Sequence, residues 1–106
     1  KKNNFDLAIG KVFREMKKIK KNWYNENSAR FVCCLSIFWP NGTSYLSKGV
    51  IKGKISSKKK GMNGFGYDPI FVPSGYEKTF GEMKPKLKMS IDHRQKAFAK
   101  IKKFFV

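Results

Sequence analysis

The stretch ARFVCCLSIFWPNG at residues 29–42 decides the central part of the predicted fold. Residues 29–39 are rich in β-branched and aromatic side chains, which favours a buried strand. The tripeptide Pro-Asn-Gly at 40–42 is a strong turn signal, and residues 43–55 alternate loosely, as a returning strand does. We therefore predict an antiparallel hairpin. Two glycines inside its second strand suggest β-bulges: Gly49 and Gly53.

Helices are predicted on both sides of this hairpin. Residues 4–20 repeat apolar side chains every three or four positions, which indicates an amphipathic helix. Its apolar stripe consists of Phe5, Ile9, Val12, Phe13, Met16 and Ile19. Residues 91–105 predict a closing helix, with Ser90 or Asp92 as its N-terminal cap. The stripe of that helix consists of Ala97, Phe98, Ile101 and Phe105.

Shorter elements complete the pattern. We expect loops at residues 21–27 and 56–66, a short buried strand at 70–72 that Pro-Ser-Gly at 73–75 closes, and the start of a helical turn at 79–84. The order α-β-β-β-α predicts an α/β class fold of the mixed α+β kind, with an antiparallel hairpin and a closing C-terminal helix. A chain of 106 residues suits one small domain.

The net charge of +17 points to an anionic partner, which is a nucleic acid, a nucleotide or a membrane surface. Only three of the 24 basic residues are arginines, however, and base readout in grooves prefers arginine forks. Scattered lysine is more typical of a solvated surface. The run of three lysines at 58–60 is the exception, because it adjoins a glycine-rich loop and could meet phosphates.

The two cysteines, Cys33 and Cys34, are adjacent, and adjacent strand residues point to opposite faces. We therefore expect no disulfide between them, and a reducing cytoplasm is the default location. The single histidine, His93, excludes a His-rich metal cluster. No apolar run approaches the roughly 20 residues that span a bilayer, and no signal-peptide pattern opens the chain, so we expect no membrane partner.

A second signal is the octapeptide GFGYDPIF at residues 64–71. Phe65 and Tyr67 offer ring faces for stacking, Asp68 offers an acceptor, and the glycines let the backbone approach a ligand closely. This combination predicts a pocket for a flat heterocycle. The ordinary alternative is a glycine-rich turn whose aromatic side chains enter the core.

The residues GFGYDPIFVPSGYEKTFGEM at 64–83, then Lys88, then DHRQKAF at 92–98, resemble the C-terminal half of the inosine triphosphate pyrophosphatase family. Residues 28–42 are also similar to the family's central strand and turn. The resemblance implies a partial inosine triphosphatase-like fold, with residues 1–106 as the C-terminal portion of a single domain. It also implies hydrolysis of non-standard purine nucleoside triphosphates (ITP, dITP and XTP) to the monophosphate and pyrophosphate.

The resemblance further implies a set of substrate-binding residues: Phe65, Gly66, Tyr67, Asp68, Lys88, His93 and Arg94. Arg94 has donors and no acceptor, so it can satisfy the 6-oxo group of hypoxanthine or xanthine but opposes the amino group of adenine. His93 can add a second donor, and Phe65 can stack on the purine. Lys88 can neutralise phosphate or touch the base. The alternatives are an exposed helix start for the His-Arg pair and one more surface lysine for Lys88.

Two departures from the family pattern matter. Asp92 stands where the family usually has a serine before the His-Arg pair, although aspartate is also a good helix cap. The family's N-terminal phosphate-binding segment and its acidic segment, with the catalytic base and magnesium ligands, are not in this sequence. We therefore expect no catalytic or metal-ligating residue in this chain, Mg²⁺ ligands in the absent N-terminal half, and no turnover by this segment alone. Glu82 is predicted to be a structural partner of the loop, and Asp68 a base or ribose contact.

The resemblance implies a homodimer for the intact protein and no specific nucleic-acid partner. A different class of protein remains as the alternative, which is a basic RNA-binding module whose Phe and Tyr side chains stack on bases. The two hypotheses differ in salt dependence and in preference among mononucleotides.

Overall fold

A computed structural model describes residues 4–19, 22 and 27–105 of the chain. The helices and strands are α1 (Asn4–Ile19), β1 (Ser28–Phe38), β2 (Ser44–Ile55), β3 (Phe71–Pro73), α2 (Pro85–Ile91) and α3 (His93–Ile101). Single 3₁₀ turns occur at Asp68–Ile70 and Lys102–Phe104. The predicted mixed α+β class is confirmed. Most of the predicted loop at 21–27 lies outside the described residues.

The antiparallel hairpin is confirmed, with β1 one residue earlier than predicted. The predicted burial of β1 is wrong, because its residues alternate between partly buried and exposed. Its register runs without interruption from Ser28 opposite Lys54 to Phe38 opposite Ser44. At the turn, Gly42 has a φ of 96° and donates its N–H to the Trp39 carbonyl at 2.9 Å. The third strand pairs antiparallel with the other edge of β2, which gives the sheet order β1-β2-β3.

The predicted β-bulges at Gly49 and Gly53 are wrong. Gly49 lies directly opposite Cys33 and Gly53 opposite Ala29 in the continuous ladder. A Cβ atom on Gly49 would lie far inside van der Waals distance of the His93 carbonyl oxygen. A Cβ atom on Gly53 would collide in the same way with backbone of the neighbouring strand β3. Both glycines therefore allow close packing of backbone, a use of glycine that looks the same in sequence as a bulge.

The predicted closing helix is confirmed but shorter than 91–105, since α3 runs from His93 to Ile101 and a separate helix, α2, ends just before Asp92. The backbone of Asp92 is extended, with φ −77° and ψ 177°, and its carboxylate accepts the Gln95 N–H at 2.9 Å. Of the two predicted capping residues, Ser90 and Asp92, it is therefore Asp92 that caps α3. The helix before it, α2, begins at Pro85, where the missing N–H costs no hydrogen bond. Residues 79–84 form a hydrogen-bonded turn before it.

Only half of the apolar stripe predicted for the closing segment is buried. Ala97 and Ile101 are buried against the sheet, whereas Phe98 and Phe105 are exposed. Phe105 lies beyond the end of α3, after the 3₁₀ turn, so the helical period no longer sets its direction. The predicted stripe is therefore half correct.

The core lies between the sheet and the segment that follows β3. Its buried members are Ile51, Phe71, Phe80 and Met83. Phe31 from β1 stacks on Phe71 with a centroid distance of 4.1 Å. Of the stripe predicted for α1, Ile9 is buried but Phe5 and Ile19 are exposed. Within the described part of the chain, no helix has the length and apolarity needed to cross a bilayer.

Candidate ligand-binding site

The loop between β2 and β3 is fixed by the carboxylate of Asp68. This carboxylate is buried and accepts the Phe65 N–H at 3.0 Å. Gly64 and Gly66 have φ values of 74° and 64°, which L-residues with side chains rarely adopt. A Cβ atom on Gly64 would also collide with the Asp68 carboxylate. The glycines and the aspartate of this motif are thus one local unit that turns the chain and directs the side chains of Phe65 and Tyr67.

Phe65 and Tyr67 do not enter the core, so the ordinary alternative for this motif is wrong. Phe65 is 51% exposed, and Tyr67 is also exposed. Tyr67 makes an edge contact with Phe5 of α1, with the ring centroids 5.5 Å apart. The loop therefore presents two aromatic side chains at the surface, where a planar ligand can reach them.

Lys88 joins this loop to the junction of α2 and α3. Its Nζ lies 2.9 Å from the Asp68 Oδ2 and 3.9 Å from the Asp92 Oδ2. The side chains of Lys88 and Asp68 are only 9% and 3% exposed. The interpretation of Lys88 as one more surface lysine is therefore wrong. Since a buried charge without a partner is strongly unfavourable, this pair holds the loop and the helix junction together.

His93 and Arg94 lie in the first turn of α3, beside the loop. The His93 ring makes an edge contact with Phe31, at a centroid distance of 5.0 Å. Its buried Nδ1 has no hydrogen-bond partner among the described residues. Burial lowers the pKa of His93 below its usual value; nearby Asp92 opposes this shift, and Arg94 adds to it. A neutral imidazole offers one donor and one acceptor to a ligand.

The predicted site residues surround two adjoining cavities rather than one. A cavity of about 310 Å³ is lined by Phe5, Phe31, Phe65, Gly66, Tyr67, Asp68, His93 and Arg94. A larger cavity of about 520 Å³ is lined by Lys88, with Met83, Met89 and Phe98 among its walls. Phe65 and Arg94 line both cavities. Six of the seven predicted residues therefore meet in the smaller cavity, and Lys88 faces the other one.

Two residues of the smaller cavity were missed from the sequence. Phe5 comes from α1, where its spacing predicts only packing, and Phe31 comes from β1, where the sequence pattern predicts no role for it. Nothing near them in sequence indicates a site, because their position depends on long-range packing. The hairpin brings Phe31 beside His93, and α1 brings Phe5 beside Tyr67.

Two cations lie over the Phe65 ring. The Arg94 Cζ and the Lys88 Nζ are each 4.5 Å from the ring centroid. Such cation–π contacts stabilise by about 0.5–1 kcal/mol at exposed sites. The aromatic side chain best placed to stack on a ligand is thus already in contact with positive charge.

The remaining polar residues near the loop have structural partners. Glu82 accepts the Thr79 N–H at 2.9 Å, in agreement with its predicted structural role. In the lysine run, Lys59 pairs with Asp6 of α1 at 2.5 Å. Within the described ranges, no three His, Cys, Asp or Glu side chains come together in a group that could hold a metal ion.

The fold and the cavity define an α+β protein with an aromatic-lined cavity at the start of its last helix. Comparison with known proteins identifies the family. The Ham1 family model matches residues 2–104, and the chain belongs to the Ham1 family.

Several relatives of the chain are named as dITP/XTP pyrophosphatases. The chain is 40% identical over 99 residues to the dITP/XTP pyrophosphatase of Caulobacter vibrioides, covering 93% of this chain and 50% of the relative. It is 42% identical over 101 residues to the enzyme of the same name from Oceanobacillus iheyensis, covering 95% and 50%. Among solved structures, the Staphylococcus aureus Ham1 protein has a TM-score of 0.72 at 34% identity, over 85% of this chain and 48% of that one. The chain thus spans about half the length of the curated relatives it matches.

Proposed function

We propose that the intact protein hydrolyses the non-standard purine nucleoside triphosphates ITP, dITP and XTP to the monophosphate and pyrophosphate, and so removes them from the nucleotide pool. In this proposal, residues 1–106 are the C-terminal portion of a single pyrophosphatase domain and supply recognition of the base. The names of the relatives support the reaction, and the half-length match supports the division. The observation that carries base recognition is the cavity where Phe65 and Tyr67 adjoin His93 and Arg94.

The chemistry of the cavity suits a 6-oxo purine. Phe65 and Tyr67 offer ring faces, and stacking on an aromatic side chain is worth about 1–3 kcal/mol per base in nucleic-acid complexes. Arg94 offers only donors, so it pairs with a 6-oxo acceptor and leaves its donors unpaired against the amino group of adenine. Such a mismatch costs about 1–3 kcal/mol when it is buried. The neutral His93 imidazole supplies a second donor.

The other proposed binding residues support these contacts. Gly66 adjoins the cavity with its backbone, and Asp68 lines it while holding the Phe65 N–H. Lys88 anchors Asp68 through the buried ion pair and contributes positive charge beside Phe65. In our proposal these residues position the stacking side chain as well as contacting the nucleotide.

The hydrolytic chemistry is proposed for the intact protein only. Magnesium is the expected cofactor, and it selects clusters of oxygen ligands. The described residues do not fit such a site, since no three candidate ligands come together among them. We therefore propose that this chain does not turn over substrate alone. The free cysteines are consistent with a cytoplasmic location, and a homodimer is proposed from the family resemblance alone.

The preference for inosine over adenosine tests the proposed base recognition. We expect the chain to bind inosine about 5- to 150-fold more tightly than adenosine, because of the unpaired donors that adenosine leaves. Arg94→Ala should remove most of this preference. Dissociation constants from NMR titration of the purified chain with each nucleoside measure it.

Lys96→Ala is the matched control, because it removes an exposed cation from the same helix without touching the cavity. It should leave the preference unchanged. An unchanged preference in Arg94→Ala would contradict the role of that residue. The net charge of +17 favours an RNA-binding module as the second candidate. Equal, weak binding of both nucleosides, together with RNA binding that falls steeply with salt, would support that candidate instead.

A further inference from the structure

We propose that the Arg94 side chain occupies the stacking face of Phe65 in the unliganded protein, and that a purine binds by displacing it. The contact between the two side chains then contributes to specificity, because every base must displace Arg94 before it can stack on Phe65. This inference rests on the proposed function of the cavity and adds to it the step by which the base enters.

The geometry places the guanidinium where a base would lie. The Arg94 Cζ is 4.5 Å from the Phe65 centroid. Stacked aromatic rings have centroids about 4.5–7 Å apart, so a purine on that face needs the same volume. Both side chains line the cavity that holds Tyr67 and His93. The guanidinium is planar and stacks on rings, and it thus resembles the ligand that must replace it.

Of the two cations over Phe65, Arg94 is the one free to move. Lys88 is buried and held by Asp68 at 2.9 Å. Arg94 is exposed and forms no ion pair with any residue in the described part of the chain. Displacing Lys88 would strand a buried carboxylate, whereas Arg94 can turn without breaking a charged contact.

The displacement discriminates between bases. Any purine that stacks on this face removes the cation–π contact of Arg94. A 6-oxo purine compensates, because the displaced guanidinium can donate to its oxygen. A purine without a 6-oxo group offers no acceptor at that position, so it bears the loss uncompensated. Removing Arg94 should therefore weaken binding of 6-oxo purines and strengthen binding of purines without a 6-oxo group.

Two neutral nucleosides test this inference, inosine and purine riboside, which carries only hydrogen at C6. Neither has a phosphate, so loss of a positive charge does not itself change their affinity. We expect Arg94→Ala to bind purine riboside about two- to fivefold more tightly than the wild type, which corresponds to relief of an exposed cation–π contact. The same variant should bind inosine more weakly. Lys96→Ala should leave both dissociation constants unchanged.

The outcomes separate this inference from the proposed function. If Arg94→Ala loses inosine affinity while its affinity for purine riboside is unchanged or lower, the displacement is overturned and base recognition by Arg94 stands. If the wild-type chain binds inosine no better than purine riboside or adenosine, the proposed function fails, and this inference fails with it. Circular dichroism of each variant confirms that the fold is retained, as expected for substitution of an exposed side chain.

Discussion

Replacing Lys88 with methionine is expected to lower the free energy of unfolding by about 3–5 kcal/mol. Methionine keeps most of the length of the side chain but removes the charge. The Asp68 carboxylate, with its side chain only 3% exposed, then stays buried without its cation at 2.9 Å. Denaturation of the two proteins in urea, followed by circular dichroism, measures the difference.

Lys59→Met is the matched control for this prediction. Lys59 also pairs with an aspartate, Asp6 at 2.5 Å, but the two side chains are 46% and 64% exposed. Exposed pairs contribute about 0–1 kcal/mol, so this variant should unfold close to the wild type. Equal stability of Lys88→Met and Lys59→Met would contradict the structural role given to Lys88.

A double variant separates loss of the pair from loss of packing. Asp68→Asn keeps an oxygen that can accept the Phe65 N–H but removes the negative charge. Combined with Lys88→Met, it should recover part of the lost stability, because the carboxylate nearest to Lys88 is no longer left buried without a cation, although Asp92 still loses its weaker contact at 3.9 Å. A double-mutant cycle then gives the interaction energy of the pair.

Gly49→Ala is expected to destabilise the chain by about 1–3 kcal/mol or more and to weaken nucleoside binding as well. The new Cβ would collide with the His93 carbonyl oxygen and the Ala97 nitrogen, both of which are backbone atoms of α3. The helix must therefore move away from β2. Its first turn carries the His-Arg pair of the cavity, so binding is affected through the position of α3.

Gly10→Ala serves as the control, because it adds the same methyl group in α1. The nearest atom to its Cβ is the flexible end of Arg14, at 3.4 Å. Alanine is favoured over glycine inside a helix by roughly 1 kcal/mol, so this variant should be at least as stable as the wild type. If Gly49→Ala has the same stability and the same inosine affinity as the wild type, the position of α3 does not depend on its close packing against β2 at Gly49.

The sequence predicts the hairpin well because its signals are local. A run rich in β-branched and aromatic residues and a Pro-Asn-Gly turn indicate the strand and its reversal without help from distant residues. The two glycines of β2 were misinterpreted for the opposite reason. Gly49 allows α3 to pack closely against β2, and Gly53 does the same for β3. The residues next to these glycines in sequence carry no signal of this long-range packing.

The candidate site also combines residues that local sequence predicts with residues that only long-range packing brings there. The Gly-Phe-Gly-Tyr-Asp motif is self-contained, since Asp68 binds the backbone of its own loop, and its aromatic exposure could be anticipated. Phe5 and Phe31 could not be identified, because only tertiary packing brings them to the cavity. The boundary between α2 and α3 could not be predicted from the sequence. A single residue, Asp92, separates the two helices and caps α3, and the sequence on both sides of it has a helical pattern.

Mapping of inosine binding by NMR chemical shifts tests the central claim most directly, which is that the loop at 64–68 and the start of α3 form one purine site. With inosine, we expect the largest amide shifts at residues 64–68 and 93–94, and none at the distant hairpin turn at 40–43. Adenosine at equal concentration should produce much smaller shifts. Shifts centred on the lysine run at 58–60, or equal shifts with both nucleosides, would contradict a purine site at this position.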